Sequence, residues 1–393
     1  MKLRVAILFG GKSVEHEVSI ISGLQAYNNI DKDKYDVFPV YISKKNEMYV
    51  GDLISNIDNF KGIDKVIRES KKVILINDDG ECKFITEHNS LFKKREEWPV
   101  DLVIPVVHGT NEEDGALQGY LKTVGVTFAG SDVTASAVGM DKYIQKVLLR
   151  ENDLPVLSAM KFNMGDYENI DKMIEKIEES IGYPIIVKPI DLGSSVGISV
   201  AKERSELVDS IDNAFLYAQN ILCEHAILNL REVNCAVLGN EIDALASEIE
   251  EPMHTKDILS YEDKYGNGQK SEDSRGMASL KRQIPAKIDK DMYDDIKKLA
   301  IKSFKILGCN GVARLDFMID VDTNKYYFNE INTIPGSLAF YLFEPLGIKY
   351  KELLDRIINL AEERKRNENN ITYSFDTNIL KNVSGSGSKG AKR

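Results

Sequence analysis

Two short runs near the carboxyl end of the sequence carry residue types that could bind a metal ion. One run contains Arg314 and Asp316 and the other contains Glu330 and Asn332, and both are apolar or alternating, as β-strands are. The residues between the two runs have the composition of a turn. A hairpin folded about Thr323 places position 316 opposite 330 and position 314 opposite 332. The strand period of two then puts all of these side chains on one face.

Asp316 and Glu330, as carboxylates that face each other across a hairpin, would repel unless a cation lay between them. These carboxylates and the amide of Asn332 are hard oxygen ligands, which suit Mg²⁺ that carries a phosphate substrate. The pattern therefore indicates nucleotide chemistry in a sequence without a Walker motif. The alternative is a solvated hairpin face whose charges point at water.

The composition is typical of a globular protein. Of the 393 residues 43% are hydrophobic and 29% are charged, so we expect about two or three domains with cores of normal size. The net charge of −11 argues against non-specific binding to nucleic acid or to an anionic membrane, and no apolar run has the length of a membrane span. The four cysteines lack metal or redox spacing and fit a reducing cytoplasm.

The first third of the sequence alternates between strand and helix signals. This alternation predicts a parallel sheet with helices on both faces, which is an α/β fold. In such a sheet the functional loops lie at the carboxyl ends of the strands, and residues 10–17 and 108–115 form two such loops. The predicted strands are 5–9, 35–42 and 102–107, and the predicted helices are 19–27 and 117–124.

The rest of the sequence predicts two further domains and a tail. A helix is expected at 135–152, and the long, charged, glycine-bearing stretch at 253–282 suggests a mobile lid or a disordered loop. The end of the chain is rich in Asn and then in Ser and Gly, which is typical of a tail with a linker or tag. The expected domains are residues 1–135, 136–224 and 225–365, and the tail is 366–393.

Two loops could bind charged parts of a substrate. The turn at Gly10 and Gly11 leaves backbone N–H groups free, and Glu15 follows it at the start of a helix. That carboxylate could hold a substrate ammonium group or could simply stabilise the helix dipole. A Gly/Ser-rich stretch that begins at Lys188 lies between two strands and could cover phosphates. A lysine that ends a buried strand needs an anionic partner, unless it belongs to a hairpin turn and extends into solvent.

These features occur together, and in the same order, in one known family. The chain resembles the ATP-grasp carboxylate–amine ligases, and within them the D-alanine–D-alanine ligases and their D-alanine–D-serine relatives. Each matching run alone is modest evidence, but together they are specific, and they extend over about residues 3–362. The runs are GGKSVEHEVS, VVHGTNEEDGALQG, SAVGMDK, PIIVKPIDLGSSVGIS, YEDKYG, LGCNGVARLDFMID and FNEINTIPG.

The resemblance implies a three-domain ATP-grasp ligase, with an α/β Rossmann-like N-terminal domain and an α+β ATP-grasp part that clamps ATP. It implies two Mg²⁺ ions, with Mn²⁺ as a substitute, and a homodimer in the cytoplasm. The implied reaction joins D-alanine to a second D-amino acid, most simply another D-alanine, through an acylphosphate for peptidoglycan synthesis. Two alternatives stay open, which are a ligase with D-serine or another acceptor and a nucleotide-binding module without activity.

The resemblance also implies the roles of individual residues, carried over motif by motif. The implied metal ligands are Asp316, Glu330 and Asn332. The implied ATP-binding residues are Lys142, Lys188, Ser195, Glu224, Glu232 and Lys264. The spacing before Glu232 is one residue longer than in the family pattern.

Other residues would serve the amino acids and the transition state. Glu15 would bind the first ammonium group, and Arg314 and the backbone N–H of Gly336 would stabilise the oxyanion. The residues implied to link Glu15 to the flap, or to border the amino-acid sites, are Ser194, Tyr265, His108, Glu113 and Tyr341.

One departure from the family concerns the second substrate. After Gly336 the family usually has a Thr-Ser-His-Ser-like stretch, whose last serine helps to bind the acceptor carboxylate. Counting places Tyr341 at that serine. Either its hydroxyl takes the serine's place, or the acceptor site differs in size and partner.

Overall fold

The computed structural model describes residues 2–87, 95–190, 196–253 and 282–373. Within those ranges no helix has both the length and the apolar composition needed to cross a bilayer. The helices are α1 (His16–Asn29), α2 (Ile63–Glu69), α3 (Ala116–Val124), α4 (Val133–Met140), α5 (Lys142–Arg150), α6 (Ile170–Ser180), α7 (Arg204–Phe215), α8 (Lys290–Ile306) and α9 (Tyr350–Asn369).

The strands belong to three sheets. The first sheet holds β1 (Leu3–Gly10), β2 (Tyr35–Ile42), β3 (Met48–Val50), β4 (Lys71–Asp78), β5 (Glu81–Thr86), β6 (Glu97–Pro99), β7 (Leu102–Pro105) and β8 (Thr127–Phe128). The second holds β9 (Ala159–Asn163), β10 (Ile185–Pro189), β11 (Ser199–Ala201) and β12 (Asn220–His225). The third holds β13 (Leu230–Gly239), β14 (Ala244–Pro252), β15 (Arg282–Gln283), β16 (Gly311–Asp320) and β17 (Lys325–Asn332).

The first sheet is parallel only in part. Its strands run in the order β6-β5-β4-β3-β2-β1-β7-β8, and the neighbours from β2 to β8 pair in parallel as predicted. The pairs from β2 to β6 are antiparallel, which corrects the prediction of a fully parallel sheet. Asp79 and Gly80, both with positive φ, connect β4 to β5. An Asp-Gly pair at a two-residue turn is a strong hairpin signal, and it was present in the sequence.

The central strand β1 positions the first predicted loop. Its residues from Val5 to Phe9 are fully buried, and α1 packs closely on it. A Cβ at Gly23 of α1 would lie 2.3 Å from the Cβ of Phe9, so the close packing requires glycine there. The tightly packed strand and helix hold the Gly10-Gly11 turn between them.

The second sheet is antiparallel, in the order β11-β10-β12-β9, and packs against α6 and α7. The helix predicted at 135–152 is wrong as a single element, because α4 ends at Met140 and α5 begins at Lys142. Asp141 between them has an extended backbone, and its carboxylate accepts hydrogen bonds of 2.9 Å from the N–H groups of Tyr143 and Ile144. This N-cap starts a new helix.

The third sheet contains the predicted hairpin. Its order is β15-β14-β13-β16-β17, and Asp316 pairs with Glu330 while Arg314 pairs with Asn332, as predicted. A bulge after Asp316 shifts the register by one residue, so that Asn329 is the extra residue of β17. Helix α8 packs against β13, β14 and β16 and buries the apolar face of the sheet.

Candidate active site

One row of polar residues crosses four strands of the third sheet. Glu250 of β14 lies opposite Asn234 of β13, Asn234 lies opposite Asp316 of β16, and Asp316 lies opposite Glu330 of β17. Directly opposed residues share a face of the sheet, so the whole row lies on the face away from α8. The hairpin carboxylates are therefore part of a longer polar surface.

Asp316 is partly buried beside both a cation and another carboxylate. Arg314 donates two hydrogen bonds of 2.7 Å to its carboxylate, and the Asn332 amide donates one of 3.3 Å. Burial raises the pKa of Asp316 despite Arg314, and the neighbouring Glu330 raises it further. Negative charge is thus concentrated at this point, and a divalent cation would stabilise it.

Two lysines, one on α5 and one on β10, meet one buried carboxylate. Glu224 is fully buried, and it accepts hydrogen bonds from Lys146 Nζ at 2.8 Å and from Lys188 Nζ. Burial opposes the charge of Glu224, but the two ammonium groups outweigh it and lower its pKa to about 2. Lys188 is 6% exposed, so it is not a hairpin lysine that extends into solvent. It has the anionic partner that a buried lysine requires.

Helix α5 and strand β10 bring lysines to the hairpin. Lys142, its first residue, has its Nζ 3.4 Å from Glu330 Oε2. Lys188 Nζ also lies 3.4 Å from the side-chain oxygen of Asn329 in the bulge. The structure therefore brings together four of the predicted ATP and metal residues, Lys142, Lys188, Glu224 and Glu330.

The two N-terminal loops also converge. Glu113 Oε2 accepts a hydrogen bond of 3.0 Å from the N–H of Gly109 and lies 3.7 Å from His108 Nδ1. A Cβ at Gly109 would lie 3.5 Å from Glu15 Oε2, which places Glu15 beside this loop. Burial raises the pKa of Glu113, and the charge of Glu15 raises it further. Paired carboxylates at this loop suit a substrate ammonium group.

Ser22 on α1 links the second loop to the segment after β17. Its Oγ lies 3.2 Å from His108 Nε2 and accepts a hydrogen bond of 3.0 Å from the N–H of Ser337. Ser337, Leu338 and Ala339 have φ of 53°, 51° and 49°, a left-handed conformation that costs roughly 1–2 kcal/mol per residue. Backbone strain of this kind persists where the surrounding structure enforces it, often at functional sites.

Tyr341 lies in a second polar cluster at the Glu250 end of the row. Its hydroxyl donates a hydrogen bond of 3.1 Å to Glu250 Oε1, which also accepts one of 3.2 Å from Asn234. The Arg282 guanidinium is 2.7 Å from Glu250 Oε2 and stands 4.0 Å from the centre of the Tyr341 ring. Tyr341, which counting places at the family serine, is therefore fixed by the ion pair between Arg282 and Glu250.

The other predicted residues are either outside the described part of the chain or beside the polar row. Ser194, Ser195, Lys264 and Tyr265, with most of the expected lid, lie outside the described residues. Glu232 lies two residues before Asn234 on β13, and Gly336 follows the hairpin. Among the described residues no group of three or more His, Cys, Asp or Glu has the spacing of a metal site, so a cation here would also need amide, phosphate or water ligands.

Sequence reasoning missed the residues that hold the others in place. They are Ser22, Gln145, Lys146, Asn234, Glu250 and Arg282. Only Lys146 had a signal, because it follows Lys142 by one helical turn and so shares its face.

Comparisons with known proteins match both halves of the chain to one family. The family profile described as "D-ala D-ala ligase N-terminus" matches residues 4–131, and that described as "D-ala D-ala ligase C-terminus" matches residues 148–359. The D-alanine–D-alanine ligase of Caldicellulosiruptor bescii is 41% identical over 388 residues, covering 95% of this chain and 99% of that protein. That of Thermosipho melanesiensis is 37% identical over 381 residues, covering 96% and 98%.

Solved structures are similar as well. The D-alanine–D-alanine ligase of Coxiella burnetii has a TM-score of 0.75 at 27% identity, covering 94% of this chain and 96% of that one. The VanG D-Ala:D-Ser ligase of Enterococcus faecalis has a TM-score of 0.75 at 28% identity, covering 92% and 100%. The chain therefore belongs to the D-alanine–D-alanine ligase family, whose members are ATP-dependent carboxylate–amine ligases with the ATP-grasp fold.

Proposed function

We propose that this protein joins two molecules of D-alanine at the expense of ATP, as the names of its relatives state for them. One observation carries the proposal. The opposed carboxylates Asp316 and Glu330 lie beside Lys142, and the buried pair of Lys188 and Glu224 reaches the same hairpin through the contact of Lys188 with Asn329. That arrangement suits a triphosphate, because phosphoryl transfer depends mainly on positioning and on neutralising charge.

The donor set fits magnesium. Asp316 and Glu330 offer carboxylate oxygens, Asn332 offers an amide oxygen, and burial makes the negative charge costly without a cation. We propose that these three residues hold two Mg²⁺ ions, for which Mn²⁺ can substitute. When bound, they supply positive charge that neutralises the phosphate oxygens during transfer.

The lysines bind the nucleotide in this scheme. Lys142 and Lys188 contact the α- and β-phosphates, while Glu224 and Glu232 receive the adenine and the ribose. Glu224 at the same time fixes the ammonium group of Lys188, since the two are in direct contact. Ser195 and Lys264 complete the contacts, with Lys264 at the γ-phosphate.

The first half-reaction takes place between the nucleotide and the N-terminal loops. Glu15 binds the ammonium group of the first D-alanine, bordered by His108 and Glu113, and Ser194 and Tyr265 link Glu15 to the flap. The carboxylate oxygen of this D-alanine attacks the γ-phosphorus. The bond between the γ-phosphorus and the bridging oxygen breaks, and ADP leaves with its electron pair. An acylphosphate remains in a cleft that a covering flap protects from water.

The second half-reaction forms the peptide bond. The amine of the second D-alanine attacks the acyl carbon, and a tetrahedral intermediate forms. The Arg314 guanidinium and the N–H of Gly336 stabilise its oxyanion, because fixed donors act strongly in a dry site. The nitrogen loses a proton to solvent, inorganic phosphate leaves with the C–O electron pair, and the amide remains. Tyr341 borders the acceptor in this step.

The test measures ADP release by purified protein with ATP, Mg²⁺ and D-alanine, and identifies the product by mass. We expect ADP only when Mg²⁺ and D-alanine are both present, together with the dipeptide. Glu330→Ala should abolish turnover, whereas Glu175→Ala, a change at an exposed position of α6, should not. ADP formation that ignores D-alanine, or none at all, would show that the protein is not this ligase.

D-Serine is a second candidate acceptor. The observation that favours it is the polar cluster around Tyr341, where Glu250 could accept a hydrogen bond from a serine hydroxyl. Competition between the two acceptors at equal concentration, read by product mass, decides between them. We further propose a homodimer that works in the cytoplasm; light scattering of the purified protein tests the first of these, and cell fractionation the second.

A further inference from the structure

We propose that Arg282 binds the α-carboxylate of the acceptor amino acid, and that Glu250 and Tyr341 hold its guanidinium in position for that contact. The proposal rests on the proposed function, because only a ligase has an acceptor. It differs from the roles already discussed for Tyr341, since the donor to the acceptor is here a cation rather than a hydroxyl.

Arg282 lies on the same face of the sheet as the metal and oxyanion residues. It is opposite Pro252 on β14, two residues beyond Glu250, so both residues share the polar face. Its guanidinium is 2.7 Å from Glu250, the end of the polar row that continues through Asn234 to Asp316. Arg282 thus extends the row away from the hairpin.

This end of the row borders the reaction centre. Tyr341 and Glu250 both lie close enough to Arg314 to raise the pKa of its guanidinium. Arg314 is the residue assigned to the oxyanion, and that oxyanion forms on the carbon that the acceptor amine attacks. A carboxylate on the α-carbon of the acceptor must therefore lie within a few bond lengths of this cluster.

The acceptor carboxylate needs a positive partner. It takes no part in the reaction and stays charged, and a buried charge is stable only when it is paired and hydrogen-bonded. Arg314 donates two hydrogen bonds to Asp316 and is assigned to the oxyanion. Of the described residues on this face of the third sheet, Arg282 is the other guanidinium.

The hydroxyl of Tyr341 is poorly placed for that task. A phenol has one proton to donate, and this one is directed at Glu250. A substrate carboxylate would have to compete with Glu250 for it. A guanidinium has five N–H donors in a planar fork, so one arginine can pair with more than one acceptor at once.

The cluster holds the guanidinium rigidly. Glu250 is 3% exposed and accepts hydrogen bonds from Asn234 and Tyr341 as well as from Arg282. The Tyr341 ring stacks against the guanidinium at 4.0 Å. Because the arginine is already desolvated and fixed, binding a second carboxylate would cost little further ordering.

The experiment separates acceptor binding from acyl transfer by changing the nucleophile. Hydroxylamine attacks the acylphosphate, forms D-alanyl hydroxamate and releases phosphate, and it has no carboxylate. D-Alaninamide is an acceptor with an amine but an uncharged carboxamide. Arg282→Gln should reduce kcat/KM for D-alanine as acceptor by about 100-fold, the loss expected for one charge-assisted contact of roughly 2–3 kcal/mol.

The same variant should leave hydroxamate formation unchanged and should reduce the use of D-alaninamide by less than about threefold. Arg282→Lys, which keeps the charge, should recover part of the loss. Equal losses with all three nucleophiles would mean that Arg282 is structural, and an unchanged acceptor KM would mean that it does not bind the acceptor. If the wild type formed neither ADP nor hydroxamate, the proposed function itself would fail.

Two further variants guard against misfolding. Arg282→Gln leaves Glu250 buried without its cation, so the double variant Arg282→Gln/Glu250→Gln removes both charges and should show the same acceptor-selective loss. Arg231→Gln is the matched control. Arg231 forms a similar pair with Glu251, at 2.8 Å between β13 and β14 and in the opposite phase of the sheet, and its loss should not alter the preference among nucleophiles.

Discussion

Gln145 of α5 accepts a hydrogen bond of 3.0 Å from the backbone N–H of Ile331, the residue between Glu330 and Asn332. Its amide nitrogen lies 3.3 Å from the carbonyl oxygen of Gly139 and donates to it, and the side chain is fully buried. One amide therefore fixes β17 against the helix that begins with Lys142. The distance between a phosphate-binding lysine and the metal ligands depends on this contact.

Gln145→Leu should weaken nucleotide use more than it weakens the fold. It leaves the N–H of Ile331 buried without an acceptor, which costs about 1–3 kcal/mol. We expect kcat/KM for ATP to fall by roughly tenfold for each 1.4 kcal/mol lost at the site, with a smaller change in the KM of D-alanine. The control is Gln219→Leu, at an exposed position. Equal effects on both substrates would contradict a role at the nucleotide.

Glu330→Gln should remove the stabilisation that Mg²⁺ and ADP give to the folded protein. A ligand that binds only the native state at 100 times its Kd stabilises it by about 2.7 kcal/mol. Wild type should therefore show a rise in Tm with Mg²⁺ and ADP that EDTA abolishes. The variant should show little rise, although its Tm without ligands should stay near that of wild type. An undiminished, EDTA-sensitive rise would contradict the metal assignment.

The hairpin and the buried polar cluster differ in how far the sequence could predict them. Asp316 and Glu330 meet across a short turn, so local alternation and turn composition were enough to pair them. Glu250 and Arg282 come from β14 and β15 and meet Tyr341 from the far side of the hairpin. Local patterns carry no information about which distant strands become neighbours, so this cluster was visible only in three dimensions.

Lys188 lies between these two cases. The apolar strand before it predicted burial, and burial required an anion, but the identity of Glu224 depends on the pairing of β10 with β12. The break at Asp141 was readable as a cap, yet the apolar periodicity continues across it and favoured a single helix. In such cases the sequence indicates the kind of interaction that a residue needs but does not identify its partner.

Glu112, which lies between the two N-terminal loops, should make the stability of the protein depend on pH. It is 3% exposed, and its Oε1 accepts a hydrogen bond of 3.0 Å from the N–H of Lys12. Burial raises its pKa to about 7. A raised acid favours the protonated native state, so its stabilising contribution is full below the unfolded pKa and is lost as pH rises through about 7.

Glu112→Gln keeps the shape and an acceptor for Lys12 but cannot ionise. Relative to wild type, its free energy of unfolding should therefore increase by roughly 1–3 kcal/mol between pH 5 and pH 8. Denaturant titrations of both proteins across that range measure the difference. Parallel pH dependences would mean that the carboxyl group is not titrating in the native state.

Lys146 should matter for the fold because of the charge that it neutralises. Its Nζ is 2.8 Å from Glu224, and both side chains are almost completely buried. Removing one partner of a buried pair typically costs about 3–5 kcal/mol, because the other charge is left uncompensated. Lys188 still contacts Glu224, so we expect Lys146→Met to fall at the lower end of that range. Urea unfolding measures this cost, and Lys161→Met, at a partly exposed pair with Asp141, is the control.

The double variant Lys146→Met/Glu224→Gln shows whether Glu224 is needed for stability as well as for function. It removes both charges of the pair but leaves the buried Lys188 without its carboxylate, so we expect it to be less stable than Lys146→Met alone. Activity should not return, because Lys188 then lacks the carboxylate that fixes its ammonium group beside the nucleotide. If the double variant were both stable and active, Glu224 would not be needed to position Lys188. If it were no less stable than Lys146→Met alone, the ammonium group of Lys188 would not need Glu224 as its buried partner.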